Sequence, residues 1–208
     1  LINNLKNIYN GLILYQIPSS KLQLNANLLK ALYAIELPAM HIIGKYVNMS
    51  QFASLNAGVA IKGNANGMVN TTTAGLNFNF SLFKIPKESA TILNEYPPVA
   101  APFGEYSFKG KNSTVLFQKM GNVQSEIPLW TFTEFNGKNA VFVMGEGFWK
   151  WPLAEYNKNG NTDLFTSLVE SSISYLSVKK DKSRLRVYAV SNYSSSENIV
   201  LKAELYNE

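Results

Sequence analysis

The stretch "GLILYQIPSSKLQLNANLLKALYAIELPAMHIIG", residues 11–44, decides the fold. "GLILYQIP", residues 11–18, is a compact apolar run ended by Pro18, which is the pattern of a buried strand. Ser19 and Ser20 are residue types that cap helices, and the helix they predict covers about residues 21–35. On that helix Leu24, Leu28, Leu32 and Ile35 share one face, with Leu29 and Tyr33 beside them. Pro38 resets the backbone, and "AMHIIG" is a second apolar strand. Strands apolar on both faces and separated by an amphipathic helix belong to a parallel sheet covered on both sides. The prediction is an α/β fold with a mostly parallel sheet and helices on both faces.

Working outward, "LINNLKNIYN" places Leu1, Leu5 and Ile8 at helical spacing. "NMSQFASLN" is a short helix with Asn48 as its cap. "GNANGMVNTTTAG", residues 63–75, is polar and glycine-rich and is read as a loop. "LNFNFSLFKI", residues 76–85, alternates apolar and polar residues and is read as a strand at least through Leu82. "PKESATILNEY" is a helix with Pro86 in its first turn. "NEYPPVAAPFGEY" holds three prolines and is read as a rigid loop. "STVLFQKMG" is a strand, and Asn136-Gly137 joins two further strands as a hairpin. "NTDLFTSLVESSISYL" is an amphipathic helix capped by Asn161 or Thr162. Then come the basic linker "KKDKSRLR" and two alternating strands, "RLRVYAV" and "IVLKAELY".

The 208 residues divide in this reading into an α/β domain, 1–178, and a segment, 179–208, holding a linker and the first strands of a truncated β-sandwich. The chain starts at Leu1 with no signal-peptide pattern and is expected to be an excised piece of a longer protein. No apolar run is long enough to span a membrane. The formal charge of +5 is spread over scattered lysines, which argues against nucleic acid as a partner. The absence of cysteine excludes disulfides, thiolate metal sites and thiol nucleophiles. With a single histidine and no calcium-loop spacing, no metal site is expected. "GNANG" lacks the following Lys-Ser/Thr of a phosphate loop, so no cofactor is expected. Five Asn-x-Ser/Thr sequons, at Asn48, Asn70, Asn79, Asn112 and Asn192, carry weight only in a glycosylating source.

"YNGLILYQIPS", "LPAMHIIG", "NEYPPVAAPFGEY", "PLWTFTEFNGKNAVFVMGEGFWKWPL" and "SISYL" occur in this order. Together they resemble the class I glutamine amidotransferase-like domain of uncharacterised bacterial membrane-anchored proteins. The resemblance covers about residues 8–178 and is most specific at "GEGFWKWPL". It implies a flavodoxin-like, amidotransferase-like frame for the domain, membrane-spanning helices before it and an immunoglobulin-like β-domain after it. It also implies a periplasmic, extracytoplasmic location and a protein partner or cell-envelope component. Enzymes of that wider fold place a cysteine on a strand-to-helix elbow and a histidine near a later strand. Here the elbow after "AMHIIG" reads Gly44-Lys45-Tyr46-Val47, and the later strand reads "VFVMGE". Neither supplies the nucleophile or the base, so the resemblance implies a pseudoenzyme: a non-catalytic interaction or ligand-binding module.

Several residues remain as candidates. Glu146 lies between two glycines at the end of a strand, where open α/β sheets bind ligands, and it serves either as a helix cap or as a ligand contact. His41 is either a hydrogen-bonded core residue or a catalytic partner of Glu146. Trp149 and Trp151 suit either sheet cover or carbohydrate stacking, with Lys150 solvated between them. Tyr96 and Glu105 belong to the wall of a cleft, and Glu95, Glu105, Glu134 and Glu146 are the carboxylates for an alternative hydrolase.

Overall fold

The centre of the fold is "VFVM", residues 141–144. Alternation along this strand sends Val141 and Val143 into one apolar cluster and Phe142 and Met144 into another, and all four are buried. A strand buried on both faces lies between two covering layers.

The computed structural model describes residues 5–22, 24, 26–35, 37–63, 67–121 and 123–178, and the backbone of 185–188 and 202–205. The elements in order are α1 (Leu5–Ile8), β1 (Leu12–Tyr15), α2 (Ala26–Ala34), β2 (Ala39–Ile43), α3 (Met49–Ser54), β3 (Val59–Lys62), β4 (Val69–Leu76), α4 (Ser89–Leu93) and β5 (Val99–Pro102). There follow β6 (Glu105–Phe108), β7 (Lys111–Met120), β8 (Val123–Phe135), β9 (Lys138–Met144), α5 (Lys150–Asn159), α6 (Asp163–Ser177), β10 (Leu185–Tyr188) and β11 (Lys202–Leu205). The chain forms two compact units, Leu1–Ser177 and Val178–Glu208. In the second unit β10 and β11 pair antiparallel.

The first unit holds a seven-stranded sheet in the order β1-β2-β9-β8-β7-β4-β5. β1, β2 and β9 run parallel, as residues 11–44 predict. The expectation of a mostly parallel sheet is corrected, because β8, β7, β4 and β5 join antiparallel. Short connections are the cause between β7, β8 and β9, whereas β4 is separated in sequence from its partners β5 and β7 by longer segments. Asn136 and Gly137 take left-handed φ values of 52° and 72°, and a two-residue turn of this kind returns the chain beside itself. Pro128 is accommodated within β8 where the β7 register slips, and its carbonyl accepts from the Gln118 side chain at 3.1 Å.

Two more segments depart from expectation. The strand lies at Val69–Leu76, inside the segment read as a loop, and residues 77–85 form no strand. β-Branched Thr71, Thr72 and Thr73 favour extension, while Asn77 ends it: its side chain donates to the Thr114 carbonyl at 2.7 Å and accepts from Asn79 N–H at 3.0 Å. The proline-rich stretch is not a loop throughout, since it contributes β5 and the start of β6. β5 is the sheet's last strand, a position that tolerates Pro102. The helix expected over 21–35 is shorter, at Ala26–Ala34, and Ser19 does not cap it; Ser19 bridges to Val47 instead. Asn48 caps α3 as expected, accepting from Gln51 N–H at 3.0 Å.

α6 is pinned to the sheet by polar contacts inside the larger cluster. Trp130 Nε1 donates to Ser172 Oγ at 3.1 Å, Asn139 Nδ2 to the Tyr175 carbonyl at 2.9 Å, and Tyr175 Oη to the Thr133 carbonyl at 3.0 Å. The opposite face is covered by α3 and the antiparallel pair β3–β6, through Phe52, Val59, Ile61 and Tyr106.

Candidate functional site

β1, β2 and β9 end side by side. The residues just beyond them are Gln16, Gly44 and Gly145-Glu146-Gly147. Gln16 is buried and holds a left-handed φ of 50°, a conformation that costs a non-glycine residue free energy. Its side chain bridges the three strand ends. Nε2 donates to Glu146 Oε2 at 3.1 Å, and Oε1 accepts from Tyr46 N–H at 2.9 Å. Lys45 Nζ lies 3.4 Å from Glu146 Oε1. Gly44 leaves room for this junction: a Cβ there would sit 2.9 Å from Gln16 Cδ and 3.0 Å from Glu146 Oε2. Glu146 is therefore a fixed, partly exposed carboxylate and not the helix cap envisaged as its alternative role. The cap position of α5 is Trp149, which makes no side-chain capping bond.

The edge strand β5 folds against the same place. Ala100 N–H donates to the Glu146 carbonyl and Glu146 N–H to the Ala100 carbonyl, both at 3.0 Å. A cleft of about 470 Å³ opens there, lined by Tyr15, Thr71, Val99, Glu146, Trp149 and Lys150 among others. Its size is that of a small-molecule site. Trp149 is 66% exposed and Tyr15 59% exposed, and Lys150 Nζ stands 5.8 Å from the Trp149 ring centroid.

β2 leads to α3 through residues 44–48, a turn at Lys45 and Tyr46 followed by the bridge of Val47 to Ser19. Lys21 Nζ stands 3.8 Å and Lys45 Nζ 4.8 Å from the Tyr46 ring centroid. Hydrogen bonding from Lys21 and then Lys45 lowers the phenol's pKa from its ordinary value. The Tyr46 phenol, followed by its partner Glu146, raises that of Lys45.

The other candidates lie elsewhere. His41 is buried in the middle of β2. It stacks on Phe142 with centroids 4.9 Å apart, meets Phe52 edge-on, and has Tyr33 Oη 3.4 Å from Nδ1. Burial pushes its pKa down to about 4, so the ring is neutral near pH 7. It lines a separate cavity of about 240 Å³ at the opposite ends of the same strands, not the Glu146 cleft.

Trp151 is fully buried, donates Nε1 to the Pro97 carbonyl at 3.0 Å and packs on Tyr96 and Phe148. Tyr96 is buried too, and its hydroxyl donates to Glu155 Oε2 at 2.5 Å. Both are corrected from ligand contacts to core residues. Glu105 is exposed on β6 opposite Lys62, outside the cleft wall assigned to it. Glu95 pairs with Lys158, and neither Glu95 nor Glu134 lines the Glu146 cleft, so no second carboxylate meets Glu146 there. Among the described residues no group of three His, Asp or Glu side chains is placed to hold a metal ion.

Sequence reasoning missed Gln16, Lys45, Tyr15 and Thr71, and read Lys150 as merely solvated. The strand-end rule that selected Glu146 selects Gln16 and Lys45 equally, once all three parallel strands are treated alike.

No family model matches the chain, and no curated protein does. A solved structure, a cytoplasmic protein from Salmonella typhimurium, superposes with a TM-score of 0.50 at 14% identity, over 83% of this chain and 74% of that one. The likeness is one of fold alone, and the fold is mixed α/β.

Proposed function

We propose that this chain is a non-catalytic binding module whose ligand site is the cleft at the ends of β1, β2 and β9. The observation that carries the reading is the junction of Gln16, Gly44, Lys45 and Glu146. The left-handed backbone of Gln16 and the close approach of its side chain and Glu146 to Gly44 hold a carboxylate at the edge of a cleft, and strained backbone of this kind clusters at ligand sites. The turn after β2 supports the negative half of the reading. It carries Lys45 and Tyr46, while the chain's single histidine is buried and lines a different cavity. Hydrolysis by paired carboxylates has no support, because Glu146 has no carboxylate partner in the cleft.

The finer architecture belongs to the same proposal: a class I amidotransferase-like frame without its triad, followed by an immunoglobulin-like segment. Such a module is held on the extracytoplasmic side of a membrane by segments outside residues 1–208, and contacts a protein or envelope component. Among the described residues no helix is long and apolar enough to cross a membrane.

The test is nuclear magnetic resonance on indole-labelled protein exposed to mixtures of metabolites and glycans. Trp149 is exposed, whereas Trp130 and Trp151 are buried, so the three signals separate cleft binding from general effects. The reading requires a mixture that moves the Trp149 signal and leaves the other two in place. A Trp149 signal unmoved by every mixture would overturn it.

A further inference from the structure

Resting on the strand-end cleft as a binding site, we propose that its ligand is an acidic carbohydrate, a pyranose unit bearing a carboxylate. Three features of the cleft lead there. The first is aromatic. Trp149 and Tyr15 come from different elements, line one cleft and stay largely exposed. Exposed indole and phenol rings leave apolar area in water that a flat, C–H-rich sugar face covers, while ring N–H and O–H groups stay wet.

The second feature is an acceptor of fixed direction. The Glu146 side chain is 19% exposed, and its two oxygens are oriented by Gln16 and Lys45, one each. A carboxylate has about four acceptor sites, so each oxygen keeps capacity for a hydroxyl donor. Vicinal hydroxyls of a sugar supply two such donors at the right separation. The pairing with Lys45 also disfavours an ammonium ligand, which would have to compete for the same oxygens.

The third feature selects charge. Lys150 lies in the cleft beside the Trp149 ring and makes no ion pair among the described residues. A carboxylate on a sugar stacked on Trp149 meets this ammonium without breaking an ion pair, and the chain's formal charge of +5 favours approach of an anion.

The experiment is calorimetric titration of the full chain with trigalacturonate and with its uncharged counterpart, galactotriose. The proposal expects the acidic sugar to bind about tenfold or more tightly than the neutral one, with the difference reduced by salt. Lys150→Met should remove that preference while retaining the neutral sugar's affinity. Trp149→Ala should weaken both about tenfold. Both side chains are exposed, so both variants are expected to fold, which circular dichroism checks. Equal affinity for the two sugars, or a preference that survives Lys150→Met, overturns the assignment of the acidic group. Absence of heat with either sugar overturns the carbohydrate assignment as a whole. The indole spectrum separates the two levels: if other compounds move Trp149 but neither sugar does, only this inference fails. If nothing moves Trp149, the binding module fails with it.

Discussion

Glu155 is buried at the C-terminal half of α5, where its carboxylate closes the first turn of α6. Oε1 accepts from Leu164 N–H at 2.8 Å, and Oε2 accepts from Phe165 N–H at 3.1 Å and from Tyr96 Oη. One side chain thus satisfies two helix-end donors and a buried hydroxyl. Glu155→Ala strands all three donors and should lower unfolding free energy by about 3 kcal/mol in urea titration, whereas Tyr96→Phe should cost about 1 kcal/mol. Sequence offers Asn161 and Thr162 as the adjacent caps, and a carboxylate folded back from the preceding helix has no local signature. His41 acts through pH. The folded ring is held neutral down to about pH 4, while an unfolded histidine takes up its proton near 6.5. Between those values the unfolded chain binds more protons, so His41's contribution is intact above pH 6.5 and is lost as pH falls. At pH 5 the loss is about 2 kcal/mol. His41→Phe should abolish that part of the difference between urea midpoints at pH 7 and pH 5. An unchanged difference would mean that His41 is not the group responsible.

Elements were readable where local chemistry and tertiary pairing agree. The Asn136-Gly137 turn, the Asn48 cap, the apolar runs of β1, β2 and β9, and the α6 face of Leu164, Leu168 and Ser172 all follow from residue type and spacing. They were unreadable where a neighbour decides. The alternation of Leu76, Phe78 and Phe80 imitates a strand, but Phe80 reaches the core from a turn, packing on Phe83 and Phe132. β4 carries few apolar residues and is extended because β7 and β5 pair with it on either side. The β8–β9 turn gives a direct check. Gly137→Ala forces a side chain into left-handed backbone and should cost about 1 kcal/mol, read as a lower thermal midpoint without loss of native circular dichroism.

At the scale of the whole molecule, two apolar clusters sandwich β9 and fix where its two ends lie. The α/β class was readable from residues 11–44 because two buried strands around a helix admit few other arrangements. Beyond the β8–β9 hairpin the antiparallel half was not, since the places of β4 and β5 depend on contacts far apart in sequence. The site was half readable. Glu146 stood out by its position, but Gln16 and Lys45 acquire meaning only when three strand ends meet. The proposal makes that junction a binding site with no nucleophile–base pair, and turnover tests the account most directly. Purified protein incubated with glutamine, a peptide amide and an ester, beside a Glu146→Gln variant, is predicted to release no more ammonia or acid than buffer. Product formation by the native chain that disappears in Glu146→Gln would contradict it.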